Sequence, residues 1–192
     1  MRTHADATEL AESLVRVGEG AGLPCRARLT EMNQPLGAAV GNAIEVQEAI
    51  ACLKGDGPDD LATLVCDLIG RPEARAVLDS GAAFDRFDQM VRAQGGDLSL
   101  PLQGGDVSRE PLVSPRDGTI KRCDAFGVGR AAFVLGAGRV RADQPVHPGV
   151  GVLIHKKVGD AVAAGEPLAT LIHANRGLAV GRDLLRDAIV VG

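Results

Sequence analysis

Apolar positions recur with a helical period through the first hundred residues and with a period of two in short runs after that. Ala7, Leu10, Leu14 and Val17 share one face of a helix that Thr3 and Asp6 open as a capping box and that Gly20 and Gly22 stop. Cys25–Thr30 alternates apolar and polar residues and predicts a strand. After a loop over 31–41, Asn42 caps a second helix, with Glu45 three residues on and Ala43, Val46, Ile50 and Leu53 as its apolar stripe. Pro58 suits the first turn of a third helix, whose inner face carries Leu61, Leu64, Val65 and Leu68. Two more helical pieces follow, Glu73–Ser80 and Ala82–Ala93. One strand among five helices makes no sheet, so this half is expected to be part of something larger.

The character changes near residue 100. Gly95–Gly105 (GGDLSLPLQGG) carries linker punctuation at both ends and places a boundary between a region 1–100 and a region 106–192. In the second region a turn at Ser114–Gly118 leads to a strand over Thr119–Asp124, and a short helix is predicted over Gly129–Leu135. Val150–His155 and Leu168–His173 alternate as strands, with turns at Gly159-Asp160 and Gly165–Pro167, and a helix over Gly177–Ile189 closes the chain. The predicted fold class is α+β.

Composition narrows the function classes. The chain has 192 residues, 45% of them hydrophobic, which suffices for one ordinary domain or two small ones. No apolar run approaches the roughly 18–20 residues of a membrane span, and MRTHADATEL lacks the basic and apolar regions of a secretory signal, so a cytoplasmic location is expected. A net charge of −4 with scattered Lys and Arg argues against nucleic-acid binding. So does an aromatic content of 2%, because base stacking needs rings. Cys25, Cys52, Cys66 and Cys123 form no CxxC pair and read as buried free thiols, and the four histidines have no metal-ligand spacing.

Four strings carry a family resemblance. Thr30–Ile50 (TEMNQPLGAAVGNAIEVQEAI), Leu53–Leu61 (LKGDGPDDL), Gly127–Arg139 (GVGRAAFVLGAGR) and Val150–Ala174 (VGVLIHKKVGDAVAAGEPLATLIHA) occur in the same order as in the thymidine and pyrimidine-nucleoside phosphorylases. The chain resembles that family over nearly its whole length. The resemblance implies a non-hydrolytic glycosyl transfer, in which phosphate displaces the base of thymidine or uridine to give free base and a pentose 1-phosphate. It also implies that residues 1–100 are a mostly helical remnant of the family's α/β domain. Residues 106–192 would then be its C-terminal α+β domain, with a hammerhead-like β architecture.

The resemblance stops short of the substrate site. Met1 matches an internal methionine of the family, and the Gly- and Ser-rich loop that cradles phosphate has no counterpart here. The same holds for the Arg, Ser and Lys that hold the pyrimidine. No catalytic or substrate-binding residue is therefore assigned, and the chain by itself is expected to be an inactive C-terminal portion. The alternative is a non-catalytic module that assembles with a separate N-terminal half. The family also implies a homo-oligomer, and a monovalent cation, usually potassium. Carried over by position, the cation's ligands are the main-chain oxygens of Leu36 and Ala39 and the carboxylate of Glu48, a donor set that suits a hard cation. With the remaining ligands absent from these residues, the site is expected to be incomplete.

Four further signals have plainer explanations. Gly127–Ala132 fits a GxGxxA dinucleotide fingerprint, but Pro145 and Pro148 interrupt where a second parallel strand belongs, so a tight turn into a closely packed helix is expected. VSPRDGTI and KKVGDAVAAGEPLATL resemble biotinyl and lipoyl carrier domains, yet neither Lys121 nor Lys156-Lys157 has the flanking residues of a displayed lysine. His147, His155 and His173 read as hydrogen-bonded or surface residues, and Asp59-Asp60 as a first helical turn that complements the helix dipole.

Overall fold

The alternation over 150–155 and 168–173 builds the two inner strands of a sheet. The computed structural model describes residues 3–100, 102 and 105–192, and the chain divides into two compact units that meet at Met32/Asn33. The central segment of the Gly95–Gly105 linker, residues 101, 103 and 104, lies outside the described residues.

The first unit is one helix and its return. Helix α1 (His4–Gly20) starts where Thr3 Oγ1 accepts a hydrogen bond from the Asp6 N–H at 3.1 Å, as the capping pattern predicts. It has no buried residue, and its apolar face lies open, with Leu14 60% and Val17 68% exposed. Cys25 folds back over Gly18, where any β-carbon would meet its sulfur at 2.2 Å. The strand expected over Cys25–Thr30 does not form; these residues run without a ladder. Alternation supplies a two-sided strip, but a strand exists only through hydrogen bonds to a neighbour, and among the described residues no strand pairs with this segment.

The second unit opens with a short strand, β1 (Ala39–Gly41), followed by α2 (Ala43–Leu53), α3 (Asp59–Ile69), α4 (Ala74–Asp79) and α5 (Ala82–Ala93). These helices match the predicted ones within about two residues, since Gly and Pro punctuate each junction. They share a small core of Cys52, Ala62 and Leu78, flanked by Leu53, Leu61, Cys66 and Ala83. Then come β2 (Ser108–Val113), β3 (Gly118–Cys123), α6 (Ala125–Ala132), β4 (Gly151–Ile154), β5 (Ala161–Val162), β6 (Pro167–His173), α7 (Leu178–Ala188) and β7 (Ile189–Val191).

Two antiparallel sheets result, in the orders β1-β4-β6-β2 and β5-β3-β7. Together with the helices they make the fold α+β. The outer strands escaped the sequence reading for physical reasons: β1 is three residues long, β7 continues directly from α7, and β2 contains Pro111. A proline cannot donate to a ladder, and β2 tolerates it because it is an edge strand. β1 supplies the partner that the helical half lacked, pairing Ala39 with Leu153 across more than a hundred residues.

One apolar core joins both sheets to α6 and α7. Ile120, Val128, Leu135, Val150, Leu171 and Leu185 are among its fully buried side chains. Gly127 and Gly129 lie inside α6 rather than in a turn before it, which corrects the sequence reading. Asp124 opens the helix by accepting the Gly127 N–H at 2.7 Å, and a β-carbon on Gly127 would stand 2.8 Å from that of Ala188 in α7. The helix continues through a π-helical turn over Phe133–Ala137. Because β3 pairs antiparallel on both sides, no parallel βαβ unit surrounds the GxGxxA string.

Candidate functional site

The loop 33–41 runs between α2 and α3 on one side and the 154–158 segment on the other, and its backbone is held from both. On the helical side, Glu48 Oε1 accepts from the N–H groups of Ala38 at 2.7 Å and Ala39 at 3.0 Å. Asp60 Oδ2 accepts from the Gly37 N–H at 3.2 Å, and Glu45 Oε1 from the Gly41 N–H at 2.7 Å. Three successive amides, 37 to 39, thus end on two carboxylates, the charge-assisted kind of hydrogen bond. On the other side Ile154 N–H donates to the Ala38 carbonyl at 2.8 Å, Val158 N–H to Gln34 Oε1 at 3.0 Å, and Lys157 Nζ to the Pro35 carbonyl at 3.1 Å. Lys157 also forms an ion pair with Asp60.

The three positions carried over for a cation are therefore neighbours. Ala39 touches Glu48 through its N–H, Leu36 precedes the glycine that packs on the Glu48 carboxylate, and all three lie at half-buried or buried positions. Their chemistry fits a hard monovalent cation: one carboxylate with main-chain oxygens beside it. With Oε1 engaged by two amides, Oε2 is the carboxylate oxygen left to a cation. Among the described residues no group of three or more His, Cys, Asp or Glu side chains is arranged to hold a metal ion, so main-chain oxygens would have to dominate any such site.

Glu48 is not the solvated helix residue that an acidic side chain in an amphipathic helix usually is. Asn42 also departs from its predicted part. Its side chain makes no capping bond and instead donates to the Ala137 carbonyl at 2.9 Å, tying the start of α2 to the end of the π turn. Asp60 does more than favour a helix dipole. Burial pushes its carboxyl up, but hydrogen bonds from Lys157, Leu61 and Gly37 outweigh that and hold it below the ordinary carboxylate range.

The other residues singled out by sequence do not converge. His155 Nε2 lies 2.8 Å from Thr170 Oγ1, and the His155 backbone N–H donates to the Leu168 carbonyl. His173 stands at the end of β6, three residues beyond Thr170. His147 Nδ1 accepts from the Gly149 N–H at 3.3 Å. His173 is 3% exposed; its Nδ1 accepts from the Asn175 N–H, and its Nε2 faces Glu110 Oε1 at 3.6 Å, without a hydrogen bond. Glu110 pairs in turn with Arg182. Lys156 is bound to Glu166 at 2.6 Å and Lys157 to Asp60, so neither is a lysine displayed at a hairpin tip.

Asp60, Lys157 and the His173–Glu110–Arg182 group carried no functional assignment in the sequence reading. Their partners are remote in sequence, and no local pattern marks them.

Residues 119–190, which span β3 through most of β7, match the pyrimidine nucleoside phosphorylase C-terminal domain. The chain is 47% identical over 181 residues to the thymidine phosphorylase of Mycobacterium tuberculosis, a match covering 89% of this chain and 42% of that protein. The chain is similar to the C-terminal portion of thymidine and pyrimidine-nucleoside phosphorylases. It is also 40% identical over 198 residues to the pyrimidine-nucleoside phosphorylase of Bacillus subtilis, covering 92% of this chain and 45% of that one. A Staphylococcus aureus enzyme of the same name is 38% identical with the same coverage. The chain spans less than half the length of these phosphorylases. Among the described residues no helix is long and apolar enough to cross a membrane.

Proposed function

We propose that this chain is a C-terminal portion of a cytoplasmic thymidine/pyrimidine-nucleoside phosphorylase, a pentosyltransferase, and that it is inactive alone. In the intact enzyme phosphate attacks the pentose carbon that bears the pyrimidine; the new C–O bond replaces the C–N bond and the base leaves. The chain's part in this is structural. Residues 1–100 belong to the α/β domain and 106–192 to the C-terminal domain, whose two sheets we read as a hammerhead-like arrangement. The observation that carries the proposal is the match of 89% of this chain to 42% of a thymidine phosphorylase.

Within that enzyme, Leu36, Ala39 and Glu48 hold a monovalent cation such as potassium beside the phosphate site. The cation supplies positive charge that favours the dianion. The chain's own residues do the orienting: Glu48 fixes the 36–39 backbone, and the 154–158 segment braces it from behind. Phosphate and nucleoside meet groups outside this chain, and the functional enzyme is a homo-oligomer.

Thymidine phosphorolysis by the purified 19.8 kDa chain, with a phosphate-free control, tests the reading. No turnover is expected; turnover that co-purifies with the chain overturns the claim of inactivity. The second reading, a non-catalytic module that assembles with a separate N-terminal half, rests on the open apolar face of α1. It requires that adding such a half restore turnover.

A further inference from the structure

Lys157 grips the candidate loop from 122 residues away in sequence. Its side chain is only 25% exposed, and the ammonium meets both the Pro35 carbonyl and Asp60 Oδ2. The same Asp60 oxygen accepts the Gly37 N–H, while its other oxygen accepts the Leu61 N–H at 2.9 Å at the start of α3. The lysine's own backbone is fixed in turn, its N–H donating to Asp160 Oδ2 at 2.7 Å. A continuous path therefore runs from the 157–160 turn through Lys157 and Asp60 to Gly37, and on through Ala38 and Ala39 to Glu48.

We propose that Lys157 is a positioning residue: through Asp60 and the Pro35 carbonyl it locks the 35–39 backbone in the conformation that closes on the Glu48 carboxylate. An exposed ion pair contributes little. This one is partly desolvated, and each partner is hydrogen-bonded to the loop as well as to the other. The ammonium also spares the Pro35 carbonyl from lying unpaired at a buried residue. The lowered Asp60 carboxyl agrees with the geometry. What the locked loop does, bind a cation, rests on the function proposed above; the lock itself rests on the contacts alone.

Hydrogen exchange on the 192-residue chain tests it, read at the Gly37 amide with the Thr119 amide as control. Thr119 donates to the Gly192 carbonyl, and the Lys157 ammonium bonds Pro35 and Asp60 rather than this strand. Lys157→Met is expected to speed Gly37 exchange at least ~10-fold, the scale of one lost charge-assisted hydrogen bond, and to leave Thr119 unchanged. In Lys157→Met/Asp60→Ala, Gly37 is expected to exchange no faster than in Asp60→Ala alone, because the two residues act as one device. Lys157→Arg, which keeps the charge and donors, is expected to resemble the wild type. The proposal is overturned if Gly37 is unaffected by Lys157→Met, if Thr119 accelerates with it, or if Lys157→Arg behaves like the methionine variant. Repeating the measurement in KCl and in choline chloride separates the two readings. Potassium-dependent protection that Lys157→Met abolishes supports both. Protection that persists undiminished in Lys157→Met overturns the lock; with none in either protein, as an incomplete site gives, the double-variant comparison decides the lock by itself.

Discussion

A side chain at residue 37 would collide with the carboxylate that the loop wraps: a β-carbon built on Gly37 lies 2.1 Å from Glu48 Oε2. Gly37 also sits at φ +67°, where only glycine is unstrained. Gly37→Ala is therefore expected to destabilise the chain by more than about 2 kcal/mol in urea unfolding. In a Glu48→Ala background the collision is gone and only the backbone strain, about 1 kcal/mol, remains. An equal cost in both backgrounds would show that the carboxylate is not the obstacle.

Glu48 itself should be costly to remove. Its Oε1 satisfies two amides, and in Glu48→Ala both lose a charged acceptor in a partly buried place. The expected loss is about 1–3 kcal/mol, smaller for Glu48→Gln, which keeps an acceptor without the charge. If alanine and the wild type unfold at the same urea concentration, the loop is held by its other contacts.

Acid should release the Asp60 contacts. Its carboxyl is lowered in the fold, so its contribution is fully present above the unfolded value of about 4 and is lost as pH falls through the lower folded value. Glu166, lowered by Lys156 and by the Ala163 N–H, acts in the same direction. Melting temperature should fall between pH 5 and pH 2, on the order of the carboxylate range, and fall less steeply in Asp60→Asn/Glu166→Gln. Parallel profiles for the two proteins would contradict this.

Thiol labelling should divide the cysteines in two. Burial pushes Cys123 up to about 11 and raises Cys52 as well, and both are buried, whereas Cys25 and Cys66 are partly exposed. At roughly pH 8, near the ordinary thiol value, Cys25 and Cys66 are expected to react in the folded chain, and Cys52 and Cys123 only after unfolding. Rapid modification of Cys123 in the native state, located by peptide mass, would refute the core placement.

The helices of the first hundred residues were legible because each is written locally: an apolar stripe at helical spacing, bounded by Gly or Pro. The inner strands β4 and β6 were legible from alternation. The strand expected at Cys25–Thr30 failed for want of a neighbour, which periodicity does not record. β1 and β2 were invisible for the opposite reason: a three-residue strand and a proline-bearing one become strands only because β4 and β6 are there to pair with them.

The candidate site divides in the same way. Leu36, Ala39 and Glu48 could be named from an ordered series of family motifs, all within one short stretch of chain. That the Glu48 carboxylate turns back onto Ala38 and Ala39, and that Lys157 reaches Asp60 across 97 residues, depends on how the sheet folds the chain upon itself. By itself the sequence determined the helices, the α+β class and the family resemblance, because spacing and motif order are local properties of the chain. Tertiary structure decided which carboxylates hold the loop and which lysine braces it. Hydrogen bonds and ion pairs act over a few ångströms of space, whatever the distance along the chain.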